Sequence, residues 1–233
     1  MNSIKPTIKI DIVSDVVCPW CYIGKRRLEK AIDQLGDQYH FEIEYHPFEL
    51  NPTMPKEGVD QKEYLVDKFG SEDRYQQLTN NVTQVAAQEG LVFDYANQST
   101  SPNTRVIHSI IQLAKLEGKH TQAVEAFFKA YFTDGVDLSR TENLIDIALS
   151  VGLENAADDE IFTDKNATAQ VALAEKELGK LGISGVPFYI INNKYGVSGA
   201  QPTETFVQAF REIEKETATA TTGDACDVDG ENC

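Results

Sequence analysis

The sequence predicts an α/β chain in which an all-helical block interrupts one α/β sandwich, in the order β-α-β, helical insert, α-β-β-α. Three observations predict it. A strand-like run at 7–13 leads through an amphipathic helix to a second alternating run at 41–45. A long stretch of helical periodicity then carries no strand pattern. Strand patterns return only at Phe188–Ile191 and Lys194–Ser198, ahead of a last amphipathic segment.

In the first strand Ile8, Ile10 and Ile12 alternate with Lys9 and Asp11, the period of a strand with one face in the core. The helix after Pro19 places Cys21, Leu28, Ile32 and Leu35 on one face and stops at Gly36. Pro19 suits the first turn, where no N–H is needed. Phe41, Ile43 and Tyr45 alternate with Glu42 and Glu44 to complete a β-α-β unit. Pro47, Pro52 and Pro55 punctuate a loop. Helical patterns follow at 60–69, 72–89, 104–117, 120–132, 141–151 and 160–181. Asn192-Asn193 joins the two late strands as a hairpin turn that tolerates positive φ. Phe206, Phe210 and Ile213 mark a closing helix, and from about Thr217 the chain reads as a flexible Thr/Ala/Gly/Asp-rich tail. The expected organisation is a sandwich domain from 1–50 plus 182–216, a helical insertion at 51–181 whose last helix packs on the sheet, and an acidic tail at 217–233.

With 233 residues, 41% hydrophobic and 25% charged, the composition is that of a globular protein with a substantial core. No apolar run approaches the ~20 residues that span a bilayer. Met1–Pro6 lacks a basic region followed by an apolar one, so no signal peptide is read and a cytoplasmic location is expected. The net charge of −16 excludes the basic surface that nucleic acid or anionic membranes require.

Four cysteines fall in two close pairs, Cys18/Cys21 and Cys226/Cys233. Cys18-Pro19-Trp20-Cys21 sits where the first strand turns into the first helix. Two thiols at that spacing can cycle between dithiol and disulfide without rearranging the fold, and a helix N-terminus favours the thiolate of the first. Such a Cys-x-x-Cys beside a β-α-β pattern points to a thioredoxin-like redox motif. A zinc site would need a second matching pair, and Cys-x6-Cys fits that geometry poorly. No metal or cofactor is expected. The second signal is Gly185-Val186-Pro187-Phe188, where an X-Pro bond opens an apolar strand and is a candidate cis bond. A cis bond there turns the Val186 backbone outward, free to pair with a cysteine-bearing substrate chain.

Ser14-Asp15-Val16-Val17-Cys18-Pro19-Trp20-Cys21-Tyr22-Ile23-Gly24, with Phe48-Glu49-Leu50-Asn51-Pro52 and Gly185-Val186-Pro187-Phe188, resembles the DsbA family of thioredoxin-fold oxidoreductases. The nearest pattern is its cytoplasmic FrnE-like branch, to which Pro102-Asn103-Thr104 with His108, and Gly199-Ala200-Gln201-Pro202, are also similar. The resemblance covers about residues 7–214. It implies a thioredoxin domain with a helical insertion, catalysing dithiol–disulfide exchange on proteins or small thiols such as glutathione. The same family holds 2-hydroxychromene-2-carboxylate isomerase and kappa-class glutathione transferases, so the fold alone does not fix the reaction.

Carried over, the resemblance makes Cys18 the nucleophile and Cys21 the buried resolving thiol. Val186 and Pro187 hold the substrate backbone, and Trp20 tunes the pair and packs against substrate. Strongly oxidising periplasmic relatives have His where Trp20 stands, which implies a milder couple here. Asp15 anchors the preceding loop, aids proton transfer from Cys21, or serves only as a turn residue. His108 borders a substrate or glutathione site, or is a satisfied structural histidine. Lys25, Arg26 and Arg27 read best as a solvated helix face. Phe127, Phe128, Tyr131 and Phe132 read as insertion core. Cys226 and Cys233 are a candidate auxiliary redox pair, with about ten flexible residues before Cys226 allowing exchange with Cys18, or two exposed thiols without a role. The alternative functions are a glutathione-dependent isomerase or transferase, which needs only one thiol or hydroxyl at the Cys18 position, and a non-catalytic client-binding module.

Overall fold

A computed structural model describes residues 5–154 and 165–222. β1 (Thr7–Ser14), α1 (Pro19–Leu35) and β2 (His40–Pro47) open the chain. β3 (Val59–Asp60), α2 (Gln61–Phe69), α3 (Glu72–Gln88), β4 (Thr100–Ser101), α4 (Arg105–Leu116), α5 (His120–Phe132), α6 (Thr141–Ser150) and α7 (Lys165–Lys180) form the helical block. β5 (Phe188–Ile191), β6 (Tyr195–Ser198) and α8 (Thr203–Thr222) close it.

The main sheet has the order β2-β1-β5-β6. β1 and β2 are parallel, with Ile10 opposite Ile43 and Ile12 opposite Tyr45. β5 runs antiparallel to β1, pairing Val13 with Phe188. The centre of β1 is covered on both faces: Ile10, Ile12 and Val13 are buried, and so is Asp11. A central strand flanked by helices on both sides has that property. Asn192 and Asn193 turn the β5–β6 hairpin at φ 50° and 55°, the conformation their side chains tolerate.

α1 buries Cys21, Leu28 and Leu35 as its spacing predicts, together with Tyr22, Ile23 and Lys25. Tyr22 stacks on Phe128 of α5 with ring centroids 4.8 Å apart, so sheet, α1 and insertion share one core running from Ile10 to Phe127. Such a stacked pair adds roughly 0.5–1.5 kcal/mol beyond its area.

Two expectations are corrected. The insertion contains a strand pair, β3 with β4, in which Val59 faces Ser101 and Asp60 faces Thr100. Two-residue strands offer no period to read. The closing helix does not give way to a tail at about Thr217 but continues through Thr222. Alanine among the threonines sustains helix even where no apolar stripe marks it. The segment expected to begin the last insertion helix, 160–164, lies outside the described residues.

Candidate active site

The turn after β1 is closed by the Cys18 N–H donating to the Asp15 carbonyl at 3.0 Å, and Cys18 then caps α1 with extended backbone angles. Pro19 at the first helical position has no N–H to satisfy. The Cys21 N–H returns to the Cys18 carbonyl at 3.0 Å, placing both thiols in one turn. Both are reduced and nearly covered, with Cys18 5% and Cys21 2% exposed. Burial pushes the Cys21 thiol well above its ordinary pKa, and the hydrogen bond and charge of Cys18 push the same way. Cys21 is therefore held in its protonated form.

The Val186–Pro187 bond is cis. The Cys18 thiol lies 3.8 Å from the Val186 carbonyl, across 168 positions of sequence. The Pro187 carbonyl is taken by the Gly199 N–H at 2.8 Å, which seats the loop before β5 against the end of β6. The fold thus brings Cys18, Trp20 and Val186 to the mouth of one groove of about 380 Å³. Trp20 and Leu50, each 39% exposed, are apolar residues at its rim.

The far wall was not foreseen. It is made by Tyr64, Leu65 and Phe69 of α2, Leu78 of α3, and Tyr95. The helical pattern at 60–69 announced these residues only as a helix face. Tyr131 and Phe132, expected as insertion core, are buried and also line the groove.

Asp15 is fully buried and anchors the Phe48–Leu50 loop: its Oδ2 accepts from the Leu50 N–H at 2.8 Å. His108, 3% exposed, sits behind it, with Nε2 3.1 Å from the Phe48 carbonyl and 3.5 Å from Asp15 Oδ1. Of the two readings, the structural one matches this placement, since His108 supports the loop from beneath and is not part of the groove wall. In the same loop the buried Glu49 carboxylate pairs with Arg105 at 2.7 Å. Burial raises its pKa, Arg105 opposes, and Glu175 adds to the rise.

The bases after the motif are not a solvated face. Lys25 pairs with Glu29 and Glu125, Arg26 with the same two carboxylates, and Arg27 with Glu89 and the Ala200 carbonyl. Their partners lie up to 173 positions away, beyond the reach of local pattern. A second close fit lies one turn beyond Cys21, where the Tyr189 hydroxyl occupies the space a Cβ on Gly24 would need. That hydroxyl is buried without a hydrogen-bond partner.

Cys226 and Cys233 lie outside the described residues, but the course of α8 bears on their reach. α8 starts beside the middle of α1, where Thr203 donates to the Arg27 carbonyl, and passes Tyr39 at Glu214. It therefore runs away from Cys18. At 1.5 Å per residue, Cys18 to Arg27 spans roughly 14 Å along α1 and Thr203 to Thr222 roughly 28 Å along α8, so Thr222 stands up to roughly 40 Å from Cys18.

Among described residues that could hold a metal, Asp11, Glu44 and His46 bring three ligand atoms within 4.8 Å of one another. Lys9 and Lys115 pair with the carboxylates of this cluster on the sheet face. No helix among the described residues is long and apolar enough to cross a membrane.

The fold recurs in known proteins. A probable DsbA oxidoreductase from Streptomyces coelicolor is 32% identical, with 97% of this chain and 96% of that one aligned at a TM-score of 0.81. A 2-hydroxychromene-2-carboxylate isomerase is 15% identical over 91% and 98% of the two chains, TM-score 0.67. The cytosolic disulfide reductase DsbM from Pseudomonas aeruginosa, solved with glutathione, is 17% identical over 89% and 99%, TM-score 0.62. The family model of the DSBA-like thioredoxin domain matches residues 9–211, from the first strand through the dithiol and the Val186–Pro187 turn into α8. The chain therefore belongs to the DsbA-like thioredoxin-fold family.

Proposed function

We propose that this protein is a cytosolic thiol–disulfide oxidoreductase that exchanges disulfides with polypeptides or small thiols through Cys18 and Cys21. The observation that carries the reading is the dithiol at the start of α1 with Cys18 facing the Val186 carbonyl at the mouth of an open groove. In the reducing direction the Cys18 thiolate attacks one sulfur of a substrate disulfide. A Cys18–substrate disulfide forms, and the first substrate thiolate leaves. Cys21 loses its proton to that thiolate or to water, then attacks Cys18 Sγ. The second substrate thiolate leaves and the Cys18–Cys21 disulfide remains, two electrons having passed to substrate. Oxidation of a dithiol runs the same steps backward. Burial of Cys21 supports the division of labour, because a covered, protonated thiol does not compete for the incoming disulfide.

A glutathione-dependent isomerase needs one sulfur or hydroxyl at the Cys18 position and has no use for Cys21. The second thiol in the same helical turn favours exchange. Insulin reduction and refolding of scrambled ribonuclease, compared between wild type and Cys18→Ser, test the reading. The expected result is loss of both activities, with Cys21→Ala accumulating a mixed disulfide. Activity that survives Cys18→Ser overturns it.

A further inference from the structure

α2 fully buries one residue, Gln61, and leaves Tyr64, Leu65 and Phe69 half-covered along the groove. Half-covered apolar side chains forgo part of the burial that usually holds a short helix in place. α2 is held at its start instead. The Gln61 N–H donates to the Ser99 carbonyl, its side chain donates to Gln98, and Asp60 caps the helix by accepting from the Glu63 N–H. Fixed at that end, α2 presents an apolar wall to Leu78 of α3 with the groove open between them.

The charges around this wall do not suit an anionic thiol. Glutathione carries two carboxylates against one ammonium. Lys68 is the one cation among the described residues that line the groove, and its Nζ lies over the Tyr64 ring at 5.4 Å. Lys25, Arg26, Arg27 and Arg105 are each paired with glutamates. A net charge of −16 repels anions further. A carboxylate placed against an apolar wall loses hydration and gains little in return.

Resting on the oxidoreductase reading above, we infer that α2 is the specificity element of the site: the groove selects polypeptide disulfides whose cysteine is flanked by a large apolar side chain. That side chain docks against Leu65 and Phe69 while the substrate main chain passes the Val186 carbonyl. A polypeptide is the occupant because Val186 and the apolar wall line the same groove as Cys18, so a chain joined to Cys18 can meet the carbonyl and the wall at once. An uncharged or basic polypeptide also suits the acidic protein.

Two uncharged pentapeptide disulfide dimers test this, one with phenylalanine and leucine flanking the cysteine, the other with glycine on both sides. Oxidised glutathione is the third substrate, and exchange with the reduced full-length protein is followed by acid quench and chromatography. The expected result is a kcat/KM at least about tenfold higher for the apolar peptide than for the glycine peptide, expressed mainly in KM, with oxidised glutathione below both. In a Leu65→Asn, Phe69→Asn double variant the peptide ratio is expected to fall to within about twofold of one. Leu65→Ala, expected to lower the ratio by a smaller factor, gives the same readout should the double variant lose its fold. A ratio near one in the wild type, a ratio that survives in the variants, or glutathione disulfide consumed as fast as the apolar peptide overturns the inference alone. Absence of exchange with all three disulfides overturns the oxidoreductase reading and the inference together.

Discussion

Lys25, seven residues after Cys18 and 4% exposed, donates to Glu125 of α5 at 2.6 Å. The same carboxylate receives Arg26 and the Tyr22 hydroxyl, so the helix that carries the dithiol is clasped to the insertion by one glutamate. Burial alone would raise the pKa of Glu125. Hydrogen bonds from Arg26 and Lys25 overcome it and hold the group at about 2 instead of 4.5.

Glu125→Gln leaves the covered Lys25 ammonium with Glu29 as its one remaining carboxylate partner. Breaking a fully buried pair costs about 3–5 kcal/mol, and a side chain a third exposed with Glu29 still in place brings the expected loss to roughly 1–2 kcal/mol in urea unfolding. The sign with pH follows from the lowered pKa. The clasp's contribution is complete above the unfolded value near 4.5 and is lost as pH falls toward about 2. Acid titration of the wild type is expected to lose stability over that window more steeply than the variant.

Gly24→Ala drives a methyl group into the Tyr189 hydroxyl and is expected to cost about 2 kcal/mol, within the range of overpacked cores. Tyr189→Phe removes a buried hydroxyl without a partner and is expected to be neutral or slightly stabilising. The double variant regains most of the loss, so the thermodynamic cycle has a large coupling term. Additive effects in denaturation would show that the collision is not what fixes glycine there.

Asp15→Ala removes the acceptor of the Leu50 N–H and leaves His108 facing a void. The expected cost is about 2–3 kcal/mol from unpaired buried groups. Because Leu50 is part of the groove rim, KM for a protein disulfide is expected to rise more than kcat falls. Asp15→Asn, which keeps one acceptor, is expected to retain most of the stability in the same unfolding assay.

Trp20→His places an imidazole beside Cys18 and stabilises its thiolate, hence the reduced form. The variant is expected to be the stronger oxidant, with about 30 mV for each ~1.4 kcal/mol of stabilisation. Equilibration with glutathione redox buffers measures it, and an unchanged or lower potential removes Trp20 as the tuning residue.

Cys226 lies four residues beyond Thr222 and reaches at most about 14 Å; Cys233, eleven residues beyond, reaches about 37 Å. Since α8 alone carries Thr222 roughly 28 Å beyond Thr203, Cys226 cannot meet the Cys18 of its own chain while α8 is intact. Turnover that requires Cys226 itself to exchange with Cys18 is therefore expected to be second order in enzyme, whereas a fully extended Cys233 comes within reach in its own chain. A rate per enzyme independent of concentration that survives Cys233→Ser, yet is lost in Cys226→Ser, would require α8 to unwind.

What the sequence disclosed follows from the distance over which each cause acts. Ile8, Ile10 and Ile12 announce β1 because a strand's period lies within five residues. Cys18 and Cys21 announce chemistry because their spacing is itself the mechanism, and Val186-Pro187 stands out as a proline at the head of an apolar strand. Tyr64, Leu65 and Phe69 could not announce a groove, since an apolar stripe looks the same whether protein covers it or leaves it open. Lys25 looked solvated because Glu125 is contiguous with it only in space. Thr217–Thr222 looked unstructured because its run of threonine and alanine carries no apolar period to read.

The position of β1 in the sheet has a consequence for synthesis. It is the first strand made and a central one, yet its β5 partner, Phe188–Ile191, emerges some 175 residues later. At about 5–20 residues per second, one hydrogen-bonding edge of an isoleucine-rich strand stays open for roughly 10–35 s on the ribosome. During that interval the nascent chain is a template for its own aggregation. Substitutions that slow docking of the insertion are expected to lower soluble yield before they lower the activity of the molecules that fold.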